Sequence, residues 1–375
     1  MMTGSRGPLW GESGRSLCGW EPRGGRRGMG WVSWILASLL LILLPACGSD
    51  GDVLVVYTPH GRDLLEHFGE RFEELHPGVQ VQWLDMGSQE VLERVRSERA
   101  NPQADVWWGA PDDMFIRAAD DGLLAPFRPA WADNLPPGNF DPQDRWFATF
   151  LTPQVIAFNS AAVPREEAPQ DWDDVLAPRW RDEVLIREPL ASGTMRAIFG
   201  AIIYRESGGS GDPEAGYEWL LRLDAQTREY VLNPTLLYQK LARQEGLVTL
   251  WNMPDIETIR AATDYPIDYT IPRGGTPVVV DGVAVIEGAP NPELARAFVE
   301  YVGSEDALRD AAELFFRIPA REDLDLEGLP EWLQAALPQI RPMEVDQALI
   351  LERSTEWMRH WDAEIRRRGR AQGFE

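Results

Sequence analysis

The stretch VLVVYTPHGRDLLEHFGERFEELHPGVQVQWL, residues 53–84, decides the fold class of this chain. It opens with the apolar, β-branched run 53–57, which is typical of a buried strand in a parallel sheet. A helix is predicted next, because apolar residues recur on one helical face at Leu64, Leu65, Phe68, Phe72 and Leu75. The turn-forming residues 76–78 end this helix, and 79–84 predicts the next strand. This order indicates an α/β protein.

The same alternation continues along the chain. Gly87 and Ser88 precede a second predicted helix. Strands are predicted at 105–108, 154–158, 183–186, 247–251 and 276–286, and helices at 114–121, 194–205 and 292–302, with a charged helical tail at 330–368. Alternation at this spacing predicts a parallel sheet covered by helices on both faces. A length of 375 residues predicts about two domains.

Composition excludes several classes of function. The chain carries 60 acidic against 36 basic residues, a net charge of −24, so it lacks the basic surface that nucleic-acid binding requires. Two cysteines cannot build a disulfide framework or a cysteine-rich zinc site. The four histidines lack metal-ligand spacing, and no nucleophile elbow is present. We therefore expect no resident metal, no cofactor and no enzymatic activity; a cell-surface hydrolase is the weaker alternative.

The first 46 residues have the composition of a secretory signal. Basic residues precede the apolar run Trp31 to Ala46, which is shorter than the roughly 20 residues of a membrane span. Leu44-Pro45-Ala46-Cys47 resembles the bacterial lipobox, with Pro45 as an unusual residue. We expect a lipoprotein signal peptide over 1–46, lipidation of Cys47 and a polar tether over 47–52. A plain signal peptide or an uncleaved anchor is the alternative.

The clearest candidate site is Ser192-Gly193-Thr194, directly before the predicted helix at 194–205. Free backbone N–H groups, two hydroxyls and the positive end of the helix dipole would converge there, which favours an anion. Arg187 and Arg196 lie close enough in sequence to add positive charge. An ordinary helix cap is the alternative interpretation.

Three further turns follow predicted strands. Thr58 and His60 follow the first strand, Ser88 the second, and Trp108 with Gly109 the third. Ligands of open α/β sheets bind at the carboxyl ends of strands, so these residues are predicted to face a cleft. In the alternative, Thr58 is a cap and His60 a surface residue.

The order of these motifs resembles the substrate-binding lipoproteins of bacterial ABC importers, in the branch of ferric-ion, phosphonate and sugar-phosphate binders. The resemblance rests on VVYTPHGRDLLEHFGERFEELHPGVQV, ADVWWGAPDDMFIRAADDGLLAPF, LASGTMRAIFGAI and DGVAVIEGAPNPELARAFVEYV. It implies a two-lobe, type II periplasmic-binding-protein-like α/β fold with two crossing strands and a ligand cleft. Lobe 1 would comprise 53–150 and 275–375, and lobe 2 would comprise 151–274. Crossings are expected near 147–158 and 267–280.

The resemblance also implies a monomer that delivers its ligand to a permease and an ATPase, on the periplasmic or outer side of a membrane. Ferric binders of this branch use an early histidine, which His60 matches, and a tyrosine pair from the second lobe. The corresponding stretch, Leu250 to Asp255, contains no tyrosine, and phenolate is the hard oxygen donor that suits Fe(III). A small organic anion, bound near Trp251 and Asn252 as well, is therefore expected. A ferric-iron binder or a solute sensor is the alternative.

Overall fold

The computed structural model describes residues 52–369. Its strands are β1 Asp52–Thr58, β2 Val79–Asp85, β3 Val106–Pro111, β4 Leu124–Ala125, β5 Phe147–Asn159, β6 Val184–Arg187, β7 Thr227–Val231, β8 Val248–Asn252, β9 Ile267–Thr270, β10 Val278–Ile286 and β11 Ile318–Pro319. Its helices are α1 Arg62–Leu75, α2 Ser88–Ser97, α3 Asp112–Asp120, α4 Gly193–Glu206, α5 Glu214–Gln226, α6 Pro234–Ala242, α7 Met253–Ala262, α8 Pro292–Val302, α9 Glu305–Phe315, α10 Glu331–Ala336 and α11 Gln347–His360.

Two groups of strands share the long strand β5. In the first, which we call lobe 1, β1 pairs in parallel with β2 and β3, and β10 runs antiparallel between β3 and β5. In lobe 2, β6 pairs in parallel with β7 and β8, while β8 and β9 run antiparallel to β5. The chain passes between the lobes along β5 and again from β9 to β10. The predicted two-lobe α/β fold with two crossings is confirmed.

The sheet differs from the predicted parallel sheet at these crossings. The first part of β5 pairs with β10, from Phe147 with Val283 to Pro153 with Val278, and its second part pairs with β8. A chain that leaves lobe 1 along one strand and returns along another runs in opposite directions on the two passages. The antiparallel pairing of β5 with β10 is therefore a consequence of the double crossing.

Each lobe has its own apolar core. In lobe 1, fully buried aromatic side chains such as Phe68, Trp107 and Trp108 fill the spaces between the sheet and its helices. In lobe 2, Ile198 and Phe199 of α4 pack in one cluster with β6 and β8. Because both faces of each sheet are covered, side chains reach solvent mainly at the strand ends and in the space between the lobes.

The C-terminal segment packs on lobe 2. Trp357, Trp361 and Ile365 belong to the same buried cluster as Ile198 and Phe199. The division predicted from the sequence places 275–375 in lobe 1; it remains a prediction, and this packing argues for assigning the end of the chain to lobe 2. The apolar residues of this charged tail are visible in the sequence, but the surface they cover is not.

Residues 52–369 contain no helix that is both long enough and apolar enough to cross a membrane. The expected signal peptide, Cys47 and all but the last residue of the expected tether lie outside the described residues.

Candidate functional site

A cleft of about 650 Å³ lies between the two lobes. Both lobes and the crossing strands contribute to its walls: His60, Asp85, Ser88, Pro111, Thr152, Arg187, Ser192, Gly193, Thr194, Tyr238, Trp251, Asn252, Asp255, Asp281 and Arg317 are among its lining residues. Three residues that the sequence predicted to face the cleft do not line it: Thr58, Trp108 and Gly109. The structure therefore brings most of the predicted residues together and places the other three behind the cleft surface.

The turn before α4 forms one wall. The Ser192 hydroxyl accepts a hydrogen bond from the Met195 N–H at 3.2 Å, so Ser192 caps the helix. Gly193 is the first helical residue, and a Cβ atom built on it would lie 3.1 Å from Cγ of Pro111. Thr194 is not the cap, and its side chain lines the cleft. The predicted anion-binding turn thus has the geometry of a capped helix start, with Thr194 facing the cleft.

A second helix start lies opposite. Helix α2 begins at Ser88, whose Oγ is 3.7 Å from the position that a Cβ atom on Gly193 would occupy. A Cβ atom on Gly87 would lie 3.9 Å from the Ala191 carbonyl oxygen. The positive ends of the α2 and α4 dipoles therefore meet at the same part of the cleft, one from each lobe. Two such helix ends stabilise an anion through free N–H groups and partial positive charge.

His60 is enclosed by the residues that do not line the cleft. Its ring makes edge-on contacts with Trp108 and Phe150 at centroid distances of 5.2 and 5.6 Å. The Thr58 hydroxyl accepts a hydrogen bond from the His60 N–H at 3.2 Å and fixes the turn. Gly109, with φ +89°, leaves room for the ring. Thr58, Trp108 and Gly109 thus position His60.

The environment of His60 favours the neutral imidazole. Burial lowers its pKa well below the ordinary value, and the positive charge of Arg317 lowers it further. Its Nε2 is buried and makes no hydrogen bond within the protein. A neutral imidazole can use a ring nitrogen as acceptor or donor, depending on its tautomer, but this nitrogen packs against Gly109 behind the cleft surface.

Trp251 and Asn252 line the cleft, but their polar atoms are already used. Trp251 Nε1 and Asn252 Nδ2 donate to Oδ2 of Asp255 at 3.2 and 2.9 Å. The Asn252 side chain also caps α7 by accepting from the Asp255 N–H at 2.9 Å. The Tyr238 hydroxyl donates to the same carboxylate at 3.4 Å. Asp255 is therefore held by three donors, and it is this carboxylate that Trp251 and Asn252 position.

Sequence reasoning missed several lining residues, among them Thr152, Asp255, Asp281 and Arg317. Thr152 donates its hydroxyl hydrogen to the Asp281 carboxylate. Burial raises the pKa of Asp281 to about 6. These two residues face each other from the crossing strands β5 and β10. Their role depends on pairing between distant segments, and no local motif in the sequence signals it.

The donor set fits Fe(III) poorly. Within residues 52–369, no group of three or more His, Cys, Asp or Glu side chains is arranged to hold a metal ion. Tyr238 lines the cleft, but burial raises its pKa well above the ordinary value and so keeps it a neutral phenol. Tyr57, Tyr204 and Tyr265 are not among the lining residues.

Known proteins resemble this chain over most of its length. The sequence pattern of the family described as bacterial extracellular solute-binding protein matches residues 57–308. A probable ABC transporter periplasmic-binding protein, y4fP of Sinorhizobium fredii, is 25% identical over 342 residues, 89% of this chain and 92% of the relative. Iron uptake protein A1 of Synechocystis sp. is 25% identical over 311 residues, 77% of this chain and 83% of the relative.

The fold also matches solved structures. The periplasmic binding protein AfuA from Actinobacillus pleuropneumoniae, solved with exogenous fructose-6-phosphate bound, superposes with a TM-score of 0.71. The match covers 84% of this chain and 98% of AfuA at 22% sequence identity. At that identity the likeness establishes the fold of this chain and leaves its ligand to be argued from the cleft.

Proposed function

We propose that this chain, which belongs to the bacterial extracellular solute-binding protein family, is the substrate-binding component of an ABC importer and binds a small solute through a phosphate or phosphonate group. The bound group would lie at the start of α4, where Thr194 and the free N–H groups of the first turn donate to it. The partners would be a permease and an ATPase, as the name of the Sinorhizobium relative suggests.

The observation that carries this proposal is the meeting of two helix starts across the cleft. Ser88 at the start of α2 and Gly193 at the start of α4 approach each other from opposite lobes. A tetrahedral oxyanion has enough acceptor oxygens for both sets of N–H groups. An anion bound there would hold the lobes together, which is how ligand binding drives closure in two-lobe proteins.

The net charge of −24 does not oppose this assignment. Charges further away than a Debye length, about 8–10 Å at physiological ionic strength, are largely screened. Arg187 lines the same cleft as the helix starts and supplies a full positive charge there. Arg196, in contrast, lies near the carboxylate of Asp113 and is not among the lining residues. Of the two arginines suggested by the sequence, Arg187 therefore supports the anion site.

Ferric iron is the second candidate, because a relative is named an iron uptake protein. Direct coordination would need hard anionic oxygens, and the phenol of Tyr238 is neutral and hydrogen-bonded to Asp255. His60 Nε2 makes no hydrogen bond in the protein, but it packs against Gly109 behind the cleft surface. This donor set favours an organic anion over Fe(III).

We further propose that the protein is anchored at the outer face of a membrane through lipid on Cys47. The sequence Leu44-Pro45-Ala46-Cys47 supports the anchor, and the family match supports a location outside the cytoplasm. The polar tether that follows would let the lobes move while the anchor stays in the bilayer.

A thermal-shift experiment tests the ligand class. The purified protein, freed of bound ligand, is melted with ferric citrate and, separately, with phosphate, alkyl phosphonates and sugar phosphates. We expect at least one phosphorylated compound to raise the melting temperature in a saturable way. A stoichiometric iron complex with a visible charge-transfer band, and no response to any phosphorylated compound, would refute the proposal.

A further inference from the structure

We infer that Arg317 and Asp281 form a second subsite of the cleft, one that binds hydroxyl groups of the ligand, so that the ligand is a phosphorylated hydroxyl compound. This inference rests on the proposed phosphate site at the start of α4. It concerns the part of the ligand that lies away from the phosphate group.

Arg317 is a buried cation with unused hydrogen-bonding capacity. Only 9% of its surface is exposed, and it lines the cleft. Its Nε–H is buried and has no hydrogen-bond partner in the protein. Its contact with the Asp255 carboxylate, from Nη2 to Oδ1, is long at 3.5 Å. A buried guanidinium that leaves a donor unused is costly, and a ligand acceptor would remove that cost.

The position of Arg317 is well determined by the fold. It follows Phe316, which adopts the left-handed conformation with φ 54° at the end of α9. The Arg317 N–H donates to the Ala311 carbonyl oxygen at 3.0 Å. The next residue, Ile318, pairs with Leu151 of the crossing strand β5. The backbone of Arg317 is therefore fixed on both sides, next to the crossing strand β5, and Arg317 lines the cleft.

Two carboxylates accompany this cation. Oδ2 of Asp255 receives donors from Trp251, Asn252 and Tyr238, while its Oδ1 has the long contact with Arg317. Asp281 receives the Thr152 hydroxyl and interacts with the charge of Arg317. A carboxylate has about four lone-pair sites, so Asp281 can accept further hydrogen bonds. The subsite thus offers a free donor on Arg317 and a free acceptor on Asp281.

A hydroxyl group is the partner that matches this pair. It accepts from Arg317 Nε–H and donates to Asp281, which satisfies both without adding charge. A carboxylate would be repelled by Asp255 and Asp281, whereas a hydroxyl group meets no like charge in the subsite. The cleft volume of about 650 Å³ is also that of a site for a drug-sized ligand, much larger than a two-carbon phosphonate.

The test compares ligands and variants in one calorimetric series. The wild-type protein is titrated with hexose 6-phosphates, glycerol 3-phosphate, hexyl phosphate and 6-aminohexyl phosphate. We expect at least one of the hydroxylated compounds to bind more tightly than both hexyl phosphate and 6-aminohexyl phosphate. An aminoalkyl compound that binds more tightly than every hydroxylated one would overturn the inference.

Variants then assign the effect to Arg317. Arg317→Met should weaken the tightest hydroxylated ligand by about 10- to 150-fold, the equivalent of one hydrogen bond to a charged group. It should change hexyl phosphate affinity less than about threefold. Arg321→Met is the matched control, because Arg321 is another poorly exposed arginine, paired with Asp323, that does not line the cleft. Arg317→Lys keeps the positive charge and replaces Arg317→Met in these titrations if the Met variant does not fold.

The outcomes separate the two proposals. Equal losses for hexyl phosphate and the hydroxylated ligand in Arg317→Met would overturn the hydroxyl subsite and leave the phosphate site in place. If no phosphorylated compound binds, but free hexoses bind in an Arg317-dependent manner, the phosphate site is refuted and the hydroxyl subsite stands. Binding of none of these compounds would refute both.

Discussion

Gly109 and His60 are in direct contact behind the ligand cleft, and a Cβ atom at position 109 would lie 2.5 Å from Nε2 of His60. The glycine has φ +89°, a conformation that other residues adopt only under strain. The sequence suggested that both residues face the ligand. The structure gives Gly109 a different task, which is to let the imidazole of His60 turn against Trp108 and Phe150.

Gly109→Ala should therefore destabilise the protein and disturb the cleft. Backbone strain costs about 1–2 kcal/mol, and forcing a methyl group against the imidazole adds about 1–3 kcal/mol. Gly78→Ala is the control, since Gly78 also has a positive φ but nothing within 4 Å of its Cβ position. Urea unfolding of both variants measures the difference. Equal losses of stability in Gly109→Ala and Gly78→Ala would show that the contact with His60 does not contribute to the loss.

The C-terminal segment should support the anion-binding turn. Arg366 donates to the Glu188 carboxylate at 2.5 Å, and Glu188 begins the turn whose Ala191 N–H donates to the Glu188 carbonyl oxygen. Arg366→Met would leave a buried carboxylate without this partner, at a cost of about 1–3 kcal/mol. We expect lower stability and weaker binding of the phosphorylated ligand.

Arg368→Met is the control for Arg366→Met. Arg368 pairs with Glu364, and both side chains are about half exposed, so the loss should stay within about 0.5 kcal/mol. Chemical denaturation and ligand titration of both variants make the comparison. If Arg368→Met has the larger effect, the role given to Arg366 is wrong.

Stability should depend on pH through Asp112. Burial, with the neighbouring charge of Asp113 as a second cause, raises the pKa of Asp112 from 3.8 to about 7. An acid whose pKa is raised on folding binds more protons in the folded state, so it removes stability as pH rises from about 4 to about 7. Below pH 4 both states are protonated and the effect vanishes.

Asp112→Asn isolates this contribution from those of other groups. His60, whose pKa is lowered, acts with the opposite sign by removing stability as pH falls below its ordinary value of 6.5. The stability of Asp112→Asn relative to the wild type should rise by about 1–3 kcal/mol between pH 5 and pH 8. Asp120→Asn, at an exposed position of the same helix, is the control. A pH-independent difference for Asp112→Asn would contradict the prediction.

Processing at the N-terminus is testable in the native host. If Leu44 to Cys47 is a lipobox, the mature chain begins at a lipidated Cys47 and partitions with membranes. Cys47→Ser should abolish the lipid mass and release the protein from the membrane fraction. Intact-mass analysis of the wild type checks this directly, and an unmodified N-terminus at another residue would rule the lipobox out.

Local features of the fold were predictable from the sequence. Helix α8 begins at Pro292 and ends at Val302 as predicted, because a proline suits the first helical turn and the apolar residues keep one face. The capped start of α4 was visible in Ser192 and Gly193 for the same kind of reason. Each of these signals lies within a few residues of the feature it specifies.

Features that join distant segments were not predictable. Arg317 reaches the cleft because Ile318 pairs with Leu151, more than 160 residues earlier. Trp361 packs on lobe 2 through an edge-on ring contact with Phe199 of α4, which is distant in sequence. Periodicity and capping rules carry no information on these arrangements.

Calorimetric titration of Thr194→Val with the phosphorylated compound that stabilises the wild type most is the direct test of the anion site. Valine keeps the shape of threonine and removes the hydroxyl, while Ser192 still caps α4. Thr258→Val is the matched control, because Thr258 also lines the cleft but its hydroxyl donates to the Pro254 carbonyl oxygen. Thr194→Val should weaken binding by about 10- to 150-fold, and Thr258→Val by less than about threefold. Wild-type affinity in Thr194→Val would contradict the placement of the phosphate at the start of α4.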